Sequence, residues 1–363
     1  MRNLYAVSLA LSLVLTGCSA SGSGSNATDS SPADSNFANQ WVRACEKYEF
    51  SEETGFAKAY QEVIADVCEK ANPALRQDPY IASPNVNQEN LDIYLNAERF
   101  SESYWQNYMD GDFPKKNRVI FTELDESWWV DQMTERVKNP QLSWFTSKNE
   151  GGHCRVEADI YCPKFFGPSE TTNNEPVEFR IIGTKLNWQD WQLLNSAHET
   201  VHLYQDSHGM SHWANWYIEG QATFFELAMA ELLYKSDHIR RDYLFTRPAR
   251  EDKYEFRPTS ASSVVDFLRK CEMARNGECD SFKYGVGSVF HEKLVIDFGL
   301  AKYFKWQQFL IDKMPRGNPA DLSQAKQDLV ARIFDQSFPA VFDTSRDKWE
   351  KTVLAPYLFE IFG

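Results

Sequence analysis

The run His198-Glu199-Thr200-Val201-His202 constrains this chain more than any other stretch. Residues four apart lie on one face of an α-helix. The run therefore asks for a helix whose inward face carries two imidazoles, able to reach one metal ion at roughly 2.0–2.1 Å each. Glu199 points about 100° round that helix, where it meets a metal-bound water rather than the metal. The chemistry implied is that of a zinc hydrolase. Trp191, Leu194 and Val201 fall within about 60° of His198 on a helical wheel, so the histidines belong to the buried side. The helix is expected to start near Trp188, with Asn187 as N-cap and Asp190 in the first turn, where the dipole favours an anion. The chain turns after Gly209, and a second helix is expected from about Trp213 to Tyr234.

A catalytic zinc site takes three protein ligands and leaves a position open for water. The third ligand is sought on the second helix, in Trp216-Tyr217-Ile218-Glu219-Gly220-Gln221-Ala222-Thr223-Phe224-Phe225-Glu226. Glu219 and Glu226 are seven residues apart and so lie along one line of the helix, with Thr223 between them. Two carboxylates on an otherwise aromatic helix are costly to bury without partners. A zinc ion for Glu219 and an imidazole N–H for Glu226 account for both, since metal-bound histidines usually give their other nitrogen to such an acceptor. Gly220 and Ala222 are small and are expected to let this helix approach the first.

These residues resemble the gluzincin metallopeptidases, in their aminopeptidase-like and peptidase MA-like branches. The likeness lies in H-E-x-x-H, then W-x-x-E-G-x-A, then a second glutamate. It implies one zinc ion per chain, held by His198, His202 and Glu219, with Glu226 orienting a ligand histidine and Glu199 as the catalytic base. Tyr284-Gly285-Val286-Gly287 resembles the family's Y-x-x-G stretch, which makes Tyr284 the expected donor to the oxyanion. The likeness extends loosely from Trp191 to Tyr357. It implies an α+β, zincin-like metallopeptidase fold: a small sheet leading into the motif helix, and a helical C-terminal lobe. The interval from His202 to Glu219 departs slightly from the commonest aminopeptidase spacing. The family's G-x-M-E-N stretch, which holds a substrate's free amine, is absent. The expected activity is therefore endopeptidase cleavage of peptide or protein substrates. An aminopeptidase with an atypical amine anchor is the alternative, and so is a non-catalytic binding or envelope lipoprotein on a peptidase scaffold.

Other histidines carry weaker readings. His208 and His212 are four apart, but Gly209 and Ser211 argue against a continuous helix; one of them is a candidate to line the cleft. His291-Glu292 begins a second copy of the motif, yet Val295 stands where its second histidine belongs, so His291 reads as structural. His153 and His238 read as surface residues. The eleven tryptophans read as core rather than as a substrate platform.

The chain opens like an exported protein. Arg2 precedes an apolar run from Leu4 to Leu15 that is too short to span a bilayer as a mature helix. Leu15-Thr16-Gly17-Cys18 resembles the lipobox of bacterial lipoproteins, which implies a leader over 1–17 and a lipidated Cys18. Ser19 after the cysteine leans towards the outer membrane of the cell envelope. Residues 18–36 are rich in Ser, Gly, Asn and Asp and read as a flexible tether. Six further cysteines suit an oxidising compartment, and no C-x-x-C is present to suggest structural zinc. Pairing neighbours would join Cys45 to Cys68, Cys154 to Cys162 and Cys271 to Cys279, one of the fifteen connectivities that six cysteines allow.

Without Arg2 the chain keeps 37 basic against 52 acidic residues, a net charge of −15. That disfavours nucleic acid as a partner, and leaves the lipid anchor as the expected route to a membrane. The rest divides into a helical N-terminal region over 37–112, a sheet with the zinc-site helices over 113–245, and a helical C-terminal lobe over 246–363. Strands are expected at Asn117–Thr122, Cys154–Cys162 and Val177–Ile182, and a helix at Glu126–Val137.

Overall fold

The computed structural model of the chain describes residues 40–51, 55–75, 78–109, 111, 115–122, 124–140, 142, 164–182, 189–210, 213–246, 258–272, 282–315 and 324–363. Residues 37–363 form one compact unit. It is mixed α+β and predominantly helical, as expected. Among the described residues no helix is long and apolar enough to cross a membrane.

Helix α1 (Gln40–Lys47) and helix α2 (Gly55–Lys70) open the unit, joined by the Cys45–Cys68 disulfide. Cys271 is also disulfide-bonded. Cys18, Cys154, Cys162 and Cys279 lie outside the described residues, as do the strand expected at 154–162, His153, His212, Asn187 and Trp188.

The region expected to be helical over 37–112 contains a short strand, β1 (Tyr80–Ala82), before helix α3 (Gln88–Trp105). Three residues are too few for alternation to register, so β1 is defined only by its pairing with strand β2 (Asn117–Phe121). Helix α4 (Glu126–Arg136), strand β3 (Lys164–Phe166) and strand β4 (Val177–Ile181) follow. The sheet order is β1-β2-β4-β3. The first three strands run parallel, with Val119 opposite Phe179, and β3 pairs antiparallel to β4 at one edge.

Alternation gives the sheet two faces. Val119, Phe121, Val177, Phe179 and Ile181 pack with Trp129 and Met133 of α4. The opposite face carries Arg118, Ile120, Glu178 and Arg180 towards α3, where Ile120 packs with Leu91, Tyr94 and Leu95. Glu98 and Glu102 of α3 meet Lys116 and Arg118 here. Lys116 Nζ lies 3.2 Å from Glu98, 3.3 Å from Glu102 and 2.5 Å from Glu178, all of them buried. Arg118 reaches Glu102 at 2.6 Å and Asp78 at 3.3 Å. Ile93, Ala97, Phe100 and Tyr104 on the other side of α3 join the main core. This helix is therefore buried on two sides, by ion pairs on one and apolar contacts on the other, with Asp92, Asn96 and Arg99 along a partly exposed stripe.

The motif helix α5 (Gln189–Ser207) packs against α3, with Trp105 stacked on Tyr204 at 4.5 Å. It ends where Gly209 takes φ +70°, a left-handed position that glycine adopts without strain. Helix α6 (Asn215–Tyr234) returns along it. Helix α7 (His238–Arg241) runs into a π-helical turn, Asp242–Thr246. Helix α8 (Ala261–Cys271) follows, capped by Ser260 and Ser263. A second π-helical turn, Phe282–Val286, leads into helix α9 (Gly287–Phe298). Helices α10 (Leu300–Lys313), α11 (Gln324–Val341), α12 (Arg346–Trp349) and α13 (Ala355–Phe362) complete the helical C-terminal part.

Candidate metal centre

The i, i+4 spacing on α5 and the pairing of α5 with α6 bring three donor atoms together. His198 Nε2 lies 3.1 Å from His202 Nε2. Glu219 Oε2, on α6, lies 3.5 Å from the first and 3.4 Å from the second. Four ligands placed tetrahedrally at roughly 2.0–2.1 Å from an ion stand about 3.3–3.4 Å from one another. The observed triangle has that size, so His198, His202 and Glu219 could hold a metal ion. His202 and Glu219 each keep 24% of the side chain exposed, which leaves the centre reachable from solvent.

The hydrogen bonds behind the imidazoles settle which nitrogen faces the centre. His198 Nδ1 lies 3.0 Å from Glu226 Oε2. A carboxylate accepts only, so Nδ1 carries the proton and Nε2 offers its lone pair. His202 Nδ1 lies 2.8 Å from Gln205 Oε1. The amide nitrogen of Gln205 donates to the Ile218 carbonyl at 2.9 Å and to Gln221 Oε1 at 2.8 Å. That turns its oxygen towards His202, whose Nε2 is likewise left as a lone pair. Two lone pairs and a carboxylate oxygen converge on one point, an arrangement that asks for a cation.

The same groups also favour a proton on the imidazoles, for which a cation has to compete. Burial opposes charge on His198, but hydrogen bonds to Glu219 and Glu226 outweigh it and lift its pKa to about 10. His202 is raised too, burial again being overcome by Glu219. Burial would raise the Glu219 carboxyl, yet the two imidazoles hold it well below the usual range. The cluster is built to surround positive charge.

Glu199 sits on α5 beside the triangle, half-buried, and accepts a hydrogen bond from Asn195 Nδ2 at 3.3 Å. Tyr284, half-buried in the Phe282–Val286 turn, places its ring 6.4 Å from that of His198. His208 is buried with its ring 4.5 Å from Tyr204, and its Nδ1 donates to the Tyr204 carbonyl at 2.8 Å. Its described contacts close the end of α5 rather than join the metal ligands. His291 is fully buried; Nε2 donates to the Tyr217 carbonyl at 3.1 Å and Nδ1 accepts from Tyr303 at 2.8 Å. That is the structural role its sequence suggested.

One expectation needs correcting. The smallness of Gly220 does not serve the approach of α6 to α5. Its open face is filled by Gly287: a β-carbon on Gly220 would fall 2.5 Å from the Gly287 carbonyl carbon. The glycine beside Glu219 therefore pins α6 to the start of α9, three residues after Tyr284.

Three residues escaped the sequence reading. Asn195 lies four before Glu199 and Gln205 three after His202, so helical spacing could have found both. Tyr243 carried no such signal: its hydroxyl donates to both oxygens of Glu226, at 2.9 and 2.8 Å, across the fold. Compared with protein-family models, curated proteins and solved structures, the chain matches none of them.

Proposed function

We propose that this chain is a zinc metallopeptidase of the gluzincin type, zincin-like in fold and acting as an endopeptidase. The reading extends to its setting: export, and attachment to the cell envelope through a lipid on Cys18. The observation that carries it is the triangle of His198 Nε2, His202 Nε2 and Glu219 Oε2, with Glu199 on the same helix turn.

Zinc bound by those three residues would supply two things, a more acidic water and a polarised scissile carbonyl. The chain's own groups do the rest. Glu199 takes the proton from the attacking water on its carboxylate and delivers it to the nitrogen of the leaving amine. Asn195 donates to Glu199 Oε1 and so anchors one oxygen of that carboxylate. Tyr284 donates a hydrogen bond to the oxygen on which negative charge develops; loss of one such donor typically costs about 10²–10³ in rate. Glu226 and Gln205 keep both imidazoles turned with Nε2 inward. Endopeptidase action is favoured because the G-x-M-E-N stretch that would anchor a free amine is absent.

The test uses the compact unit from Phe37 to Gly363. Zinc content is measured, and the wild type and Glu199→Gln are compared on a mixed peptide library. About one zinc in each protein and internal cuts by the wild type alone are expected. A wild type without zinc, or equal cleavage by the variant, would overturn the mechanism; cuts confined to the first bond would make it an aminopeptidase.

A further inference from the structure

Behind the two histidine ligands the protein places unlike partners. His202 is backed by a neutral amide, Gln205, itself held by Gln221 and the Ile218 carbonyl. His198 is backed by the carboxylate of Glu226, which is fully buried. An isolated buried carboxylate is costly, and its plane is free to turn about the last side-chain bond unless both oxygens are engaged. One contact to His198 Nδ1 engages Oε2 only. The hydroxyl of Tyr243, bonded to Oε1 and Oε2, fixes the plane.

Tyr243 is itself firmly seated. It is buried in the π-helical turn Asp242–Thr246. Its backbone carbonyl lies against Gly285, where a β-carbon would come within 3.3 Å. Gly285 adjoins Tyr284. The residue that steadies Glu226 with its hydroxyl thus touches, with its backbone, the turn that carries the proposed oxyanion donor.

We infer that Tyr243 is a positioning residue for the metal centre, setting metal affinity by holding Glu226 in line with His198 Nδ1. The inference rests on the metal-centre reading above. Tyr243 touches neither the metal triad nor a substrate through any described contact; it acts through Glu226.

The test is zinc affinity, measured on the full-length chain by competition with a chromophoric zinc chelator, with no peptide present. Removing a partner of this kind typically weakens metal binding about 10–100-fold. Tyr243→Phe keeps the ring and removes only the hydroxyl, and is expected to lower zinc affinity about tenfold. Glu226→Leu, which removes every acceptor at similar volume, is expected to lower it at least as far. The double variant is expected to bind as Glu226→Leu alone does, because without an acceptor the hydroxyl has nothing to hold. General loosening of the fold would not produce that non-additivity. Undiminished affinity in Tyr243→Phe, or two effects that simply add, would overturn the inference while leaving the metal centre standing. A wild type that takes up no zinc would overturn the metal centre itself. Thermal unfolding of the zinc-free proteins shows whether each variant is folded; if Tyr243→Phe is not, Tyr243→Trp, which also lacks the hydroxyl, takes its place with the same expectation.

Discussion

Gly220 and Gly287 meet backbone to backbone, so closely that a β-carbon on Gly220 would lie 2.5–2.7 Å from three backbone atoms of Gly287. The contact joins the helix of Glu219 to the segment that begins with Tyr284. It gives a physical reason for a glycine immediately after Glu219.

Gly220→Ala is therefore expected to push α6 away from α9. Backbone atoms cannot step aside as a side chain can, so the cost should reach or exceed the ~1–3 kcal/mol usual for overpacking. Glu219, the preceding residue, should move with the helix. Urea unfolding should show the lost stability, and the purified variant should carry less zinc than the wild type.

Removal of metal should cost stability as well as activity. An ion that binds only the folded state stabilises it by about 2.7 kcal/mol at a hundred times its dissociation constant. Chelation should lower the unfolding temperature of the wild type, and added zinc should restore it. Glu219→Gln, which removes the anionic ligand, should melt at a temperature much less sensitive to either treatment.

Lys116 is the shared partner of Glu98, Glu102 and Glu178 under the sheet. Replacing it with methionine leaves three buried carboxylates to share Arg118. Breaking a buried pair in this way costs about 3–5 kcal/mol, far more than the loss of a surface ion pair. Denaturant titration of Lys116→Met checks this. A change under about 1 kcal/mol would show that the cluster contributes little.

His291 makes stability depend on pH. Burial holds its pKa down to about 3, against about 6.5 for an unperturbed histidine. Between those values the unfolded chain binds a proton that the folded chain does not. Stability is therefore full above about pH 6.5 and falls as pH drops through the window. From pH 6.5 to 4.5 this group alone should remove on the order of 2–3 kcal/mol. Urea unfolding at the two pH values should show the loss, and His291→Gln, which does not titrate, should show a smaller one.

Much of the metal centre was legible because it is local. His198 and His202 are one helical turn apart, and Glu219 and Glu226 are two turns apart, so periodicity alone puts each pair on one face. Strands β2 and β4 and helices α4, α5 and α6 were legible for the same reason, within a residue or two at their ends. Strand β1 was not, because three residues carry no period and only the ladder to Arg118, Val119 and Ile120 defines it. Nor was the burial of Glu98 and Glu102 on α3, because their partners Lys116 and Arg118 come from the start of β2 and meet them only in the folded chain.

By itself the sequence determined which residues could be ligands, since ligand type and helical spacing are properties of a few neighbouring positions. Tertiary structure alone decided that the two Nε2 atoms and Glu219 Oε2 stand 3.1–3.5 Å apart, that Gly220 serves α9, and that Tyr243 holds Glu226. Those contacts join residues with no shared period. They exist only once the helices have packed, and packing is set by the whole buried surface rather than by any one segment.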